Sequence, residues 1–266
     1  DTPYIRENGR LKKASWNQAL KLLVNKLKDL NSSEIGGVVG DLVDLETAYS
    51  FKSFFEKCLG SNNIECRQEK TYINPNERIN YIFNSSINGL EESDLILLVG
   101  SNPRLEATIL NARIRKSYLK NKVKVYSIGD PGDLTYPYEN VGSNTSVIKK
   151  IVDGSHKLSE KIKKSKKPII IIGQSVLNEK IGMYIFEIFK DFLISNNLIN
   201  KNWNSLNVLN QQASRVGAID LGIYSIDSKN NFSFFKKLEN DEFKFIYLLG
   251  ADEIKFNKKD SFVVYQ

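Results

Sequence analysis

Residues 95–116 read LILLVGSNPRLEATILNARIRK, an apolar run that ends on Gly100 and passes through Asn102-Pro103 into a helix studded with arginines, the place where a phosphate usually sits in an α/β protein. A glycine at the carboxyl end of a buried strand turns the backbone tightly and lets a ligand approach closely. Free N–H groups and a partial positive charge at the start of the next helix then suit an anion. In open α/β sheets, ligands lie outside these strand ends. By placement alone, Gly100, Ser101, Asn102 and Arg104 are phosphate neighbours. The same glycine also serves as a plain turn into a helix, and the wider sequence favours that use. No G-x-G-x-x-G follows any of the strand-like runs, and no GxxxxGK[ST] occurs.

Other chemistry is thinly represented. The single histidine, His156, sits in a polar Gly-Ser-His-Lys segment and reads as a surface residue. No nucleophile motif supports Ser-His-Asp or Cys-His chemistry. Glu91, Glu92 and Asp94 precede a strand and are expected to shape its start, not to act as acid and base in a sheltered cleft. Cys58 and Cys66 form no CxxC pair. Three or four ligands are needed for a zinc or iron–sulfur site, so no metal site is expected within this chain. Both cysteines read as free thiols, with Cys58 facing the core late in a helix.

The elements that must position these residues follow one pattern. Residues 35–40, 95–100, 123–129, 169–173 and 245–250 are short apolar runs that each end on glycine; a sixth, 262–265, does not. They are too short for helices and rich in Ile, Val and Leu, as strands buried on both faces of a parallel sheet are. Helical periodicity fills the intervals. Ser15-Trp-Asn-Gln18 is a capping box ahead of Trp16, Leu20, Leu23, Leu27 and Leu30. Residues 45–59 carry Leu45, Tyr49, Phe54, Phe55 and Cys58 and stop at Gly60. Residues 105–119 carry Leu105, Ile109 and Ala112 beside Leu110, Ile114 and Tyr118. Residues 179–193 carry Ile181, Ile185, Ile188, Phe189 and Phe192. Strands alternating with helices predict right-handed βαβ units and a parallel α/β sheet covered on both faces. Residues 66–85, 130–146 and 199–206 read as loops.

The chain has 266 residues, enough for one large domain or two small ones. Its net charge of +7 is modest, with Lys scattered among frequent Asn and Ile. That bias fits drift in an AT-rich genome better than a nucleic-acid face, which concentrates its basic residues. The run KIKKSKK at 161–167 reads as a solvated helix end ahead of Pro168, its cations suiting the dipole. No run approaches the roughly 18 apolar residues of a membrane span, and no leader or transit segment opens the sequence.

Ordered matches along the whole length carry a resemblance. They begin with Pro3-Tyr-Ile-Arg-Glu-Asn-Gly9 and the Ser15-Trp16 helix. Gly40-Asp-Leu, Cys66-Arg-Gln68, Tyr81-Ile-Phe-Asn84 and Ile87-Asn-Gly-Leu-Glu-Glu92 come next. Leu97-Leu-Val-Gly-Ser-Asn-Pro-Arg104 leads into Asn111-Ala-Arg-Ile-Arg-Lys116. Asp133-Leu-Thr-Tyr136, Asp153-Gly-Ser-His156, Lys167-Pro168, Ala218-Ile-Asp-Leu-Gly222 and Leu248-Leu-Gly-Ala-Asp252 complete the series. In these residues the chain resembles the large iron–sulfur subunit of respiratory complex I, in the region that is itself similar to molybdopterin oxidoreductases such as formate dehydrogenase.

The resemblance implies Rossmann-like lobes of the molybdopterin oxidoreductase type. By analogy with an interrupted sheet domain, residues 10–85 would pack with 156–266, and 86–155 would form an inserted smaller lobe. In the cofactor-bearing relatives, the G-x-N-P stretch and a later Asp-Pro-Arg border a pterin–guanine dinucleotide. Here Gly100, Asn102 and Pro103 match, but the second motif reads Asp130-Pro131-Gly132 and its arginine is missing. The complex I members of this group are not known to keep the cofactor. The resemblance therefore implies a degenerate site near Gly100, Asn102, Pro103, Arg104 and Asp130, with no catalytic residue, cofactor or metal in this chain. Iron–sulfur clusters are expected in a cysteine-rich N-terminal domain not contained in this sequence, or in a partner chain.

The implied function is a structural and assembly module of the complex I peripheral arm, NADH:ubiquinone oxidoreductase. Its partners would be other peripheral-arm subunits, above all the cluster-bearing domain, with no nucleic acid and no membrane insertion. Its place would be the matrix side of the mitochondrial inner membrane, or the cytoplasmic side of a bacterial membrane. The alternative is a molybdopterin or dinucleotide-dependent oxidoreductase fragment; the run Lys167-Pro-Ile-Ile-Ile-Ile-Gly173 also looks like the central domain of thiamine-diphosphate enzymes.

Overall fold

The computed structural model describes residues 2–226, 231–256 and 260–266. The chain divides into two units, one of Asp1–Gln68 with Gly217–Gln266, the other of Glu69–Val216. The first unit opens with an antiparallel hairpin, β1 (Tyr4–Glu7) and β2 (Arg10–Lys13), turned through Asn8 and Gly9, both at positive φ. An Asn-Gly pair is the usual two-residue choice there, because both central positions need a left-handed backbone. Then come α1 (Trp16–Leu27), β3 (Ile35–Val39), α2 (Leu45–Lys57) and the short β4 (Ile64–Glu65).

The second unit runs through α3 (Ser86–Gly89), β5 (Leu95–Val99), α4 (Pro103–Glu106), α5 (Thr108–Asn121), β6 (Lys124–Ile128) and β7 (Glu139–Gly142). It continues with α6 (Thr145–Val152), α7 (Lys157–Lys164), β8 (Pro168–Gly173), α8 (Gln174–Leu177), α9 (Gly182–Ser195) and β9 (Leu206–Leu209). The chain returns to the first unit through α10 (Arg215–Asp220), α11 (Ser233–Glu239), β10 (Phe245–Leu249) and β11 (Phe262–Tyr265).

Each unit is built on a parallel sheet, ordered β11-β10-β3-β4 in the first and β7-β6-β5-β8-β9 in the second. The expected α/β class is therefore present, twice over. Both central runs of the second unit, Leu95–Val99 and Ile169–Ile172, are buried along their whole length. Helices cover both faces, so neither face can carry a polar alternation. On one face, Leu90, Leu110, Ile114, Val125 and Tyr136 pack against Ile96, Leu98, Ile169 and Ile171. In the first unit, Phe234, Phe235 and Phe243 pack on Val38, Ile246 and Leu248.

Several expectations are corrected. The boundary expected near 156 does not separate lobes, because Pro168–Ile172 pairs in register with Leu95–Val99. Residues 156–216 thus belong with 86–155, and the sheet of the first unit is completed by β10 and β11. β7 lies inside the stretch read as a loop over 130–146, and β9 begins at the end of the one read over 199–206. Cys58 is exposed at the C-terminal cap of α2, whereas Cys66 is buried. The buried face of α2 is Ala48, Phe51 and Phe55, a stripe one position removed from Leu45 and Tyr49. The helix expected over 105–119 is two pieces, broken at Ala107, and its buried face holds Leu110 and Ile114, while Leu105 and Ile109 face outward.

Candidate functional site

In a doubly wound sheet the ligand crevice opens where successive connections leave in opposite directions, at the carboxyl ends of two adjacent strands. In the second unit the chain winds outward from β5 through β6 and β7, then crosses to β8 and β9 on the other side of β5. The switch lies between β5 and β8, where Gly100 and Gly173 stand. In the first unit it lies between β3 and β10, at Gly40 and Gly250.

At both switches the backbones touch. A Cβ built on Gly173 would stand 2.1 Å from the carbonyl oxygen of Gly100, and one on Gly40 would stand 1.7 Å from that of Gly250. The Cβ side of Gly100, at φ +54°, is filled by Val176 and Ser175 from α8, and Ser175 Oγ donates to the Gly100 carbonyl. The four residues of α8 are pinned at both ends. Gln174 Nε2 donates to Glu69 Oε1 (2.7 Å), and Asn178 Oδ1 accepts from Thr71 Oγ1 (2.6 Å). Gly182 packs directly against the carbonyls of Val176 and Leu177, where no larger residue fits.

The candidate phosphate ligands are engaged as well. Asn102 caps α4 by accepting the Leu105 N–H, and its Nδ2 donates to the Pro131 carbonyl at 2.8 Å. Pro103 occupies the first turn of α4, where its missing N–H costs nothing. Arg104 Nη1 donates to the backbone carbonyl of Asp133 at 2.8 Å and pairs with its carboxylate. The Thr135 backbone N–H, and after it the Arg104 guanidinium, hold the Asp133 carboxyl below the usual carboxylate range. Asp130 accepts the Gly132 N–H (2.9 Å) and the Tyr138 hydroxyl (3.1 Å).

The second half of the motif is bonded in the same way. Asn111 Nδ2 donates to the Leu134 carbonyl (3.1 Å), and its Oδ1 accepts the Tyr136 hydroxyl (2.8 Å). Burial pushes the Tyr136 phenol upward. Arg115 reaches the Thr135 carbonyl, and Arg113 and Lys116 share Glu91. The structure thus brings Gly100, Asn102, Pro103, Arg104 and Asp130 to the adjoining ends of β5 and β6, with Asn102 and Arg104 bonded to the loop that holds Asp130. The helix that follows β5 is four residues long, and its start is capped by Asn102.

The remaining sequence candidates have local roles. His156 caps α7, its Nδ1 accepting the Leu158 N–H at 3.1 Å. Asp94 accepts the Ser165 hydroxyl and the backbone N–H groups of Lys166 and Lys167, fixing the loop before β8 as expected of a strand-start residue. Among the described residues, no three or more His, Cys, Asp or Glu side chains gather in a group fit to hold a metal ion. No helix among them is long and apolar enough to cross a membrane.

Sequence reasoning missed two buried ion pairs. Arg67 and Glu65 in the first unit have wholly buried side chains and meet at 2.7 Å. Glu65 also accepts the backbone N–H groups of Cys66 and Arg67, and the Arg67 guanidinium lies 5.6 Å from the Phe232 ring centre. In the second unit, Arg215 holds Glu69 through two nitrogens. The only signal in the sequence was the Cys66-Arg-Gln68 match; Arg215 comes from a remote segment that no local spacing connects to Glu69.

The whole chain, residues 1–266, matches the molybdopterin oxidoreductase family. It is 41% identical over 283 residues to the NADH-ubiquinone oxidoreductase 75 kDa subunit of Reclinomonas americana, covering 100% of this chain and 40% of that protein. It is 37% identical over 267 residues to a subunit of the NADH-quinone oxidoreductase of Rickettsia bellii, covering 100% of this chain and 38% of that one. It is also 37% identical to the mitochondrial NADH dehydrogenase [ubiquinone] iron-sulfur protein 1 of Solanum tuberosum, covering 99% of this chain and 35% of that one. The chain therefore spans about two fifths of the length of these relatives.

Proposed function

The chain belongs to the molybdopterin oxidoreductase family, and from that premise we propose that it is a non-catalytic structural and assembly module of the peripheral arm of an NADH:quinone oxidoreductase. It keeps the family's parallel-sheet framework and contributes contacts to neighbouring subunits, while iron–sulfur clusters are carried by polypeptide outside this chain. It works against the matrix side of the mitochondrial inner membrane or the equivalent bacterial surface. The similarity to complex I subunits over the full length of the chain supports this assembly.

One observation carries the non-catalytic reading. The residues that would border a pterin dinucleotide are hydrogen-bonded into the loop that follows β6, and Ser175 and Val176 stand against the Cβ side of Gly100. A dinucleotide needs donors that are free to turn toward its phosphates and room for its backbone approach. Asn102 is committed to its helix cap and to Pro131, Arg104 is paired with Asp133 at the surface, and position 132 is a glycine where the motif of the cofactor-bearing relatives has arginine. On these grounds the residues present do not fit the family cofactor.

Two measurements test the proposal. On a native gel of solubilised membranes, the chain is expected to co-migrate with NADH dehydrogenase activity; finding it only as a free protein overturns the assembly role. The purified chain is expected to release no pterin on acid extraction and to contain no molybdenum or tungsten. A stoichiometric amount of either overturns the lapsed site.

A further inference from the structure

Every helix of eight or more residues among those described, except α1, buries at least two of its side chains. α1 buries none of its twelve. A helix of this length is marginal in water by itself and draws its stability from packing an apolar face. Its start is well formed: Gln18 N–H donates to Ser15 Oγ, and Ser15 N–H donates to Gln18 Oε1 at 2.8 Å. Its inner edge, Leu22, Leu23 and Leu27, is half-buried, and Lys26 lies over the Phe262 ring. The outer row faces largely outward. Trp16, Leu20 and Val24, at i, i+4 and i+8, are 60%, 52% and 63% exposed, with Tyr4 and Leu11 of the hairpin also exposed.

The charge around this row is one-sided. Residues 4–29 hold seven Lys and Arg against two Asp and Glu, five of the chain's seven net positive charges. Lys28 continues the Trp16 row, Lys21 stands one turn before Val24, and Arg10 and Lys13 belong to the hairpin. Glu7, one of the two acids, is paired with Lys12.

We propose that the Trp16–Leu20–Val24 face of α1 is a docking surface for a protein surface with an apolar centre and an acidic rim, carried by the part of the subunit outside this chain. Three fifths of the length of the Reclinomonas americana relative lies outside the matched span, and the corresponding polypeptide of this subunit is the occupant proposed for the face. The basic rim selects an acidic counterpart by steering and by excluding like charge. Exposed Trp, with Leu and Val at its side, is the composition of an interface centre more than of an open surface. The inference rests on the assembly role proposed above and names the surface that serves it.

The test uses the assembled NADH dehydrogenase from cells that make this chain. Hydrogen exchange over residues 16–27 is expected to slow at least tenfold in the complex relative to the isolated chain. Carbodiimide cross-linking is expected to join Lys21 or Lys28 to Asp or Glu of the remaining subunit polypeptide. Leu20→Glu with Val24→Glu, both at exposed positions, should leave the circular dichroism of the isolated chain unchanged and cut its incorporation at least tenfold. Unchanged exchange, or normal incorporation of the double variant, overturns the proposal. So do cross-links only between two copies of this chain, or protection gained by the isolated chain on anionic phosphatidylglycerol vesicles. If the wild-type chain is absent from the complex altogether, the assembly role itself fails; if it is present with α1 unprotected, only this surface fails.

Discussion

The carbonyl oxygen of Gly100 packs against Gly173 so closely that a methyl group on Gly173 would stand 2.1 Å from it. Two adjacent strands of a doubly wound sheet thereby end in mutual contact at the place where such sheets usually part to admit a ligand. Gly40 and Gly250 repeat the arrangement in the first unit. Gly173 and Gly40 are each held to glycine by the backbone of the neighbouring strand end.

Gly173→Ala tests that reading of the glycines. The backbone of Gly173 has φ −82°, open to any residue, so its requirement is purely one of space. Gly129 is the contrast: at φ +94°, its built Cβ meets only the Gly100 Cα at 3.9 Å, an ordinary contact. Gly173→Ala is expected to destabilise by about 3 kcal/mol or more, the upper range for overpacking. Gly129→Ala is expected to lose about 1–2 kcal/mol from backbone strain alone. Urea melts of the two variants decide it, and equal losses would mean the contact yields freely.

Asn102 separates a structural loop from a binding loop. Removing its side chain loses a helix cap and the bond to the Pro131 carbonyl. Asn102→Ala should cost about 1–2 kcal/mol, as cap removal does. A ligand that binds only the folded state raises stability in proportion to the logarithm of its concentration over Kd. Millimolar GDP, a probe for the guanine dinucleotide end, is expected to leave the Tm of the wild-type chain unchanged. A rise in Tm that Asn102→Ala abolishes would assign the loop to binding.

The strands were legible because parallel-sheet burial writes itself as unbroken Ile, Val and Leu. Residues 95–99, 169–172 and 245–249 lie where that signal put them. β7 and β9 were not, since Glu139-Asn-Val-Gly142 lies at a sheet edge with little apolar content, and β9 contains the buried Asn207, which is bonded to Ser85. Periodicity found α2 and α5 but did not single out the buried stripe: Leu45 and Ile109 fit a helical repeat as well as Phe55 and Ile114 do. Only the tertiary fold chooses between two neighbouring apolar rows. The clustering of Gly100, Asn102, Arg104 and Asp130 followed from their strand ends. Their mutual bonding could not, because it depends on the path of residues 130–138.

The Glu65–Arg67 pair sets a stability test for the first unit. Both side chains are fully buried. Removing one partner of such a pair leaves a stranded charge, typically at a cost of about 3–5 kcal/mol. Arg67→Met is expected to fall in that range. Glu65→Leu with Arg67→Met should recover part of the loss and not all of it, because the N–H groups of Cys66 and Arg67 lose their acceptor. A double-mutant cycle that is additive would show the two charges to be uncoupled.

Glu69 gives the second unit a dependence on acid. Burial alone would raise its pKa, but the bonds and charge of Arg215, together with the Thr71 hydroxyl and a backbone N–H, hold it below the ordinary value of 4.5. A carboxylate depressed in the folded state contributes stability that is complete above its unfolded pKa and is lost as pH falls through the folded one. The wild-type chain should therefore lose stability as pH drops below about 4.5. Glu69→Gln keeps the shape of the side chain and removes the titration. It should be less stable than wild type at neutral pH, and the gap should narrow in acid as the wild-type carboxylate gains its proton. Urea midpoints of both proteins across that range measure the slope directly; parallel curves would show that the Arg215 contact does not couple folding to this proton.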